Sequence, residues 1–235
     1  MSSYRRILLK LSGEVLAGDQ KTGIDPESVA SFAKQVAEVA RSGVQVGLVI
    51  GGGNFFRGVA DAAKNMDRVT ADHMGMLATV MNALALGDAI NKTGQPAQVM
   101  TAIEMNQVAE PITRRRAVEL LEQGKVVVFA GGTSNPFFST DTAAALRGLE
   151  IGAEVIAKGT SVDGVYDKDP LKHPDAVRFD QISYSEVLAK NLRVMDASAV
   201  AMCRDNGLPI RVFNMRVPGN ILKLASGKPL GSIID

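Results

Sequence analysis

Apolar residues along this chain follow two alternating rhythms. Short runs rich in Val, Ile and Leu, bounded mostly by Gly, Pro or polar residues, occupy 4–12, 44–51, 96–102, 125–131, 154–158 and 209–214. Runs of that kind read as buried strands. Longer segments with helical spacing lie near 26–42, 67–92, 111–123, 140–151, 184–190, 196–206 and 219–226. Pro26 after Asp25 and Pro111 after Glu110 suit a first helical turn, where a missing N–H costs little. Gly43, Gly94, Gly124, Gly152 and Gly207 fall where those helices should stop. The alternation predicts an α/β sandwich with a mainly parallel sheet.

Residues 159–182 form the one long stretch without regular pattern, rich in Asp, Lys, Gly and Pro. A lobe boundary is expected just before it, so the 235 residues read as one domain with approximate lobes at 1–153 and 154–235. In such folds ligands gather at the carboxyl ends of the strands. The residues that follow each strand are therefore the candidates for chemistry.

Composition narrows the classes. With 26 Lys+Arg against 25 Asp+Glu the formal charge is +1, which argues against a broad basic face for nucleic acid. Trp is absent and aromatics are 5%, so stacking platforms for single strands are poorly supplied. Cys203, the single cysteine, rules out an intrachain disulfide framework and sits in an apolar helical run that points to buried packing. The opening "MSSYRRILLKLSGE" is too short and too soon interrupted to read as a signal peptide or membrane span. The expectation is a soluble cytoplasmic protein with no membrane or nucleic-acid partner.

Each strand end carries something polar. Lys10 interrupts the first apolar run ahead of Ser12 and Gly13. It is either a strand-edge lysine snorkelling past its neighbours or a cation offered to an anionic ligand that Gly13 lets the backbone approach. Gly51, Gly52 and Gly53 follow the second run, with Arg57 beyond. One positive-φ turn would explain one glycine; three in a row suit a nest of N–H donors, to which Arg57 adds a forked cation. The loop matches neither G-x-x-x-x-G-K-[ST] nor G-x-G-x-x-G. After "KVVVFA" comes a glycine-led loop, 131–142, ending in Ser139, Thr140 and Asp141 at a helix start. The hydroxyls suit capping and Asp141 a first-turn acid, while the helix end is also an anion site.

Lys158 closes the run "EVIAK" as Lys10 closes the first. Two lysines and one carboxylate suit phosphoryl transfer, which needs positioning and charge neutralisation more than covalent chemistry. "VDGVYDKDP" after it has the chemistry of a solvated turn. The Met stripe of 67–86 fits packing or a subunit contact, with Asp72 and His73 as polar exceptions. His73 and His173 are the two histidines, so histidine-based zinc chemistry is disfavoured. No G-x-S-x-G elbow supports a serine hydrolase. A dinucleotide oxidoreductase would need the missing fingerprint and a ribose-binding acid about 20 residues on. A noncatalytic nucleotide binder would have no need of the charge triad.

"RILLKLSGE", "VGLVIGGGNFFRG", "DHMGMLATVMN", "GTSNPFFSTDTAA", "KGTSVDGVYDKDP" and "LPIRVFNM" together resemble the bacterial uridylate kinases of the amino acid kinase superfamily, over essentially the whole chain and in order. The resemblance implies a three-layer α/β/α fold in which ATP, with Mg²⁺, meets UMP at the strand ends. It implies that Lys10, Ser12 and Gly13 serve the ATP phosphates, that Leu11, Gly53 and Arg57 also bind ATP, and that Thr160, Tyr166 and Asp169 hold its adenosine. Gly52, Asp72 and the loop Thr133, Ser134, Asn135, Pro136, Phe137, Phe138, Ser139 and Thr140 would hold UMP. Lys10, Lys158 and Asp141 would form the charged centre, making 1–153 the UMP lobe and 154–235 the ATP lobe. A homohexamer inhibited by UTP and activated by GTP is also implied. The activating site would be Gly18, Asp19, Gln20, Lys21, Thr22 and Gly23, which otherwise read as a plain solvated turn.

Overall fold

A computed structural model describes residues 4–20, 22–56, 66–192 and 194–235. Six strands lie within a few residues of the apolar runs: β1 (Arg6–Leu11), β2 (Gln45–Ile50), β3 (Ala97–Thr101), β5 (Val126–Ala130), β6 (Val155–Thr160) and β10 (Ile210–Asn214). Among the described residues the seven α-helices are α1 (Pro26–Arg41), α2 (Arg68–Lys92), α3 (Arg114–Glu122), α4 (Thr140–Ile151), α5 (Tyr184–Ala189), α6 (Ala197–Asp205) and α7 (Asn220–Ala225). Their ends carry the expected chemistry. Asp25 caps α1 by accepting from the Ser28 N–H at 2.8 Å, with Pro26 next, and Gly152 closes α4 at φ 64°.

Pro111 corrects the expectation. It belongs with Glu110 to a two-residue strand, β4 (Glu110–Pro111), paired with β3, and α3 starts three residues later behind a Thr113 cap. A proline tolerates an edge strand as readily as a first helical turn, so the sequence did not separate the two. The irregular stretch also holds short strands: β7 (Val165–Tyr166) pairs with β8 (Arg178–Phe179), and β9 (Gln181–Ile182) joins the main sheet through β11 (Ser232–Ile234).

The main sheet runs β4-β3-β5-β2-β1-β6-β10-β11-β9, with parallel neighbours except β10 and β11. Strand alternation gives it two apolar faces. Ile7, Leu9, Leu48 and Ala157 pack with Phe32 and Val36 of α1, Leu86 of α2 and Leu224 of α7. Leu8, Val49, Ile156 and Val212 pack on the other face with Leu120 of α3, Ala144 of α4, Val187 of α5 and Cys203 of α6. The result is three layers, helices on both sides of the sheet. β1 is central: the chain builds outward on the β2 side, then returns to build outward from β6. That reversal is the switch point at which α/β sheets open a crevice beyond their strand ends.

Candidate active site

Period two puts Lys10 on the face of Leu8 and Lys158 on the face of Ile156. The two lysines are also direct partners across β1 and β6. Two parallel cations at one level of a sheet repel, and the fold answers with the first turn of α4. Asp141 Oδ1 lies 2.7 Å from Lys10 Nζ, and Asp141 Oδ2 accepts from Lys158 Nζ at 2.8 Å. All three side chains are nearly closed off, at 10%, 11% and 14% exposure for Lys10, Lys158 and Asp141. Lys158 Nζ also donates to the Val194 carbonyl.

Burial alone would push the Asp141 carboxyl up, but attraction to Lys10 and Lys158, with their hydrogen bonds, holds it below the usual carboxylate range. Burial pushes the Lys158 ammonium down; Asp141 opposes that shift and Lys10 adds to it. The centre therefore sets two lysine ammonium groups about one carboxylate, cations suited to the charge of a transferring phosphate.

Ser139 caps α4, accepting from the Asp141 N–H at 2.9 Å. Its hydroxyl donates to Asp196, which also accepts from Thr142 Oγ1 at 2.9 Å and from the Ala199 N–H at 2.9 Å. Asp196 thus binds the starts of α4 and α6 together and adds a second negative charge acting on Lys158. Sequence reading missed it; its one signal was a capping position ahead of an apolar helical run.

Cavities flank the centre. One, of about 230 Å³, is lined by Gly52, Asp72, Thr133, Phe138, Ser139 and Thr140, together with Gly75, Met76 and Thr79 of α2 that sequence reading had not singled out. The other, of about 490 Å³, is lined by Thr160, Tyr166 and Asp169 and by the unforeseen Asn191, Leu192 and Val194. Those last three also line the cleft over Asp141 and Lys158, which joins this cavity to the charged centre.

The glycines serve close approach rather than turning. Neither Gly13, Gly51 nor Gly52 has a positive φ. A Cβ on Gly13 would stand 2.3 Å from the Gly51 carbonyl oxygen, and one on Gly52 2.7 Å from the Gly75 carbonyl oxygen of α2. Leu11, fully buried, ends β1, and Ser12 caps a 3-10 turn over Gly13–Leu16. Gly53 lies in the turn that follows Gly52.

The loop after β5 is different: Gly131, Gly132, Ser134 and Phe137 all take positive φ. Phe137, at 72°, is held by its N–H donating to Asp72 Oδ2 at 2.7 Å. Arg68 bonds both Asp72 oxygens at 2.9 Å and lies 5.4 Å from the Phe137 ring centre. Asn135 is tied to Thr133 within the loop, while Ser134 turns to a separate shallow cavity with Arg147. Asn135, Pro136 and Phe137 are not among the residues lining the 230 Å³ cavity.

Gly18, Asp19 and Gln20 form a short 3-10 turn, and Gly23 is held by Asn54 on both its N–H and its carbonyl. Lys21 and Arg57 lie outside the described residues. His73 is exposed on α2, apart from the charged centre. Cys203 is buried, and burial, with Asp196 adding to it, pushes its thiol up to about 12, the state of an inert packing residue. Among the described residues no helix is long and apolar enough to cross a membrane.

Residues 5–214 match the family described as "Amino acid kinase family". The chain is 56% identical over 233 residues to "Uridylate kinase" from two strains of Xanthomonas campestris pv. campestris, covering 99% of this chain and 97% of theirs. The chain belongs to the amino acid kinase family, and within it to the uridylate kinases. Solved structures agree with the fold. A UMP kinase from Bacillus anthracis superposes with a TM-score of 0.95 at 36% identity, covering 99% of this chain and 96% of that one. A UMP kinase from Ureaplasma parvum gives 0.92 at 34% identity, with all of both chains covered.

Proposed function

We propose that this uridylate kinase family member transfers the γ-phosphoryl group of ATP to UMP, giving UDP and ADP, a step of pyrimidine nucleotide supply. The observation that carries the reading is the Lys10–Asp141–Lys158 bridge, at 2.7 and 2.8 Å, between two cavities at the ends of β1 and β6. In this reading the 230 Å³ cavity takes UMP and the 490 Å³ cavity takes the adenosine of ATP, so the two phosphate chains meet over the lysines. The lobes 1–153 and 154–235 then divide acceptor from donor.

A UMP phosphate oxygen attacks the γ-phosphorus in line, and the bond from that phosphorus to the β-bridging oxygen breaks, with the electron pair leaving on ADP. Lys10 and Lys158 neutralise charge on the transferring group and the leaving phosphate. Asp141 keeps both ammonium groups aimed at that point. No general base is needed, because a phosphate monoester with a second pKa near about 6 is already an anion at neutral pH.

A divalent ion, Mg²⁺ in our reading, fits this donor set as a companion of the ATP phosphates rather than as a protein-caged ion. Among the described residues no three His, Cys, Asp or Glu side chains are grouped to hold a metal, and Asp141 and Asp196 are the carboxylates lining the cleft over Lys158. Bound there, it would add charge neutralisation on the phosphate oxygens.

The reading extends to a cytoplasmic homohexamer with GTP as activator and UTP as inhibitor, GTP acting at 18–23. Self-association is supported by Met74, Leu77, Met81 and Leu84, which form an exposed apolar stripe on α2, 36–48% exposed. The test is product identification: ATP and UMP incubated with the protein should yield UDP and ADP in equal amounts by phosphorus NMR. Protein that binds both nucleotides yet yields no UDP would overturn the reading.

A further inference from the structure

Two amides lie beneath the glycine loop. Asn54, in that loop, is 1% exposed, and Asn82, in the middle of α2, is 0% exposed. They bond reciprocally: Asn82 Nδ2 donates to Asn54 Oδ1 at 2.6 Å, and Asn54 Nδ2 to Asn82 Oδ1 at 2.9 Å. Each has one N–H left, and each spends it on a loop carbonyl. Asn82 donates to the Gly51 carbonyl at 2.7 Å, and Asn54 to the Gly23 carbonyl at 2.7 Å. The Gly23 N–H returns a bond to the Asn54 carbonyl at 2.9 Å. Every side-chain amide hydrogen of this buried pair therefore has a partner.

The pair is also a floor. A Cβ on Gly13 would lie 2.5 Å from Asn54 Oδ1 and 2.9 Å from Asn82 Nδ2. The turn after β1 and the turn after β2 thus rest on the same two amides, anchored to a 25-residue helix. An apolar pair of similar size would fill the space but leave the Gly51 and Gly23 carbonyls without their donors.

We propose that Asn54 and Asn82 are positioning residues that set the spacing of the two phosphate-facing turns, 12–13 and 51–52, and tie Gly23 to them. They touch neither nucleotide. The inference rests on the reading that Gly13 and Gly52 face the nucleotide phosphates. It differs from a plain packing role in one respect: loss of the pair must act on phosphates and leave the adenosine end alone, because that cavity is lined by residues from Thr160 to Pro170, by Lys190, Asn191, Leu192 and Val194, and by Val212.

The test compares the unaltered protein with Asn54→Asp, Asn82→Asp and Asn82→Ser. The aspartates keep the size and lose the donors. The serine leaves room for a water to satisfy Gly51, so it keeps a folded protein for assay if the aspartates unfold. Expected for each folded variant is a fall in kcat and in ATP affinity of about tenfold or more, because a displaced phosphate forfeits in-line geometry. Affinity for adenosine, which has no phosphate, should stay within about twofold, a margin far smaller than the loss of one buried hydrogen bond. Unchanged kcat and ATP affinity in folded variants would overturn the proposal, and so would an equal loss of adenosine affinity. If the unaltered protein itself makes no UDP, the functional reading fails instead.

Discussion

Asp141 holds together two lysines that strand register alone would set against each other, since Lys10 and Lys158 are partners across β1 and β6. Asp141→Asn keeps the shape and removes the charge, so turnover should fall more than tenfold, roughly 1.4 kcal/mol of barrier. Normal turnover in a folded variant would remove Asp141 from the mechanism. The same carboxylate should register in acid. Lys10 and Lys158 outweigh its burial and hold its folded pKa below the unfolded one, so its stabilising contribution is complete above the unfolded value. It is lost as pH falls through the folded value, within the acid range below about 4. Urea unfolding should therefore show a larger stability gap between the parent and Asp141→Asn at neutral pH than near the acid limit. An equal gap at both would contradict the assignment. The lysines were legible because a charge inside an apolar run stands out. Asn54 and Asn82 were not, since a polar residue in a loop or a helix reads as surface until the packing above it is known.

The elements were legible nearly to their ends because strands and helices here follow their two periods closely. The failures have physical causes. Pro111 satisfies an edge strand and a helix start equally, and strands of two or three residues, such as β7 and β11, are too short to display a period. Lys190, Asn191, Leu192 and Val194 line the larger cavity without a sequence signature, since lining a cavity demands no particular residue type there. The loop 133–140 was marked by composition, but its latch was not: Asp72 on α2 receives the Phe137 N–H and both Arg68 contacts. That latch holds a phenylalanine at φ 72°, a conformation costing on the order of 1–3 kcal/mol. Asp72→Ala frees the loop over the smaller cavity, so KM for UMP should rise more than tenfold, roughly 1.4 kcal/mol, while KM for ATP changes far less. Equal effects on both substrates would place Asp72 outside the acceptor end.

At the scale of the molecule, the order of strand addition reverses at β1 and sets the charged centre between two cavities, while α2 turns an apolar stripe outward. Leu77, 48% exposed, is the most exposed of the four residues of that stripe. Leu77→Glu should lower the sedimentation coefficient of the proposed oligomer, and an unchanged coefficient would remove the stripe from self-association. Fold and family were open to sequence reading because the polar positions at the strand ends are spread over the whole chain. The account stands or falls on the reaction itself. Steady-state ADP release from Mg·ATP, measured with UMP, CMP and AMP as acceptors, should be fastest with UMP by at least about tenfold, a discrimination of roughly 1.4 kcal/mol. Protein that binds ATP but releases no ADP in response to UMP would contradict it.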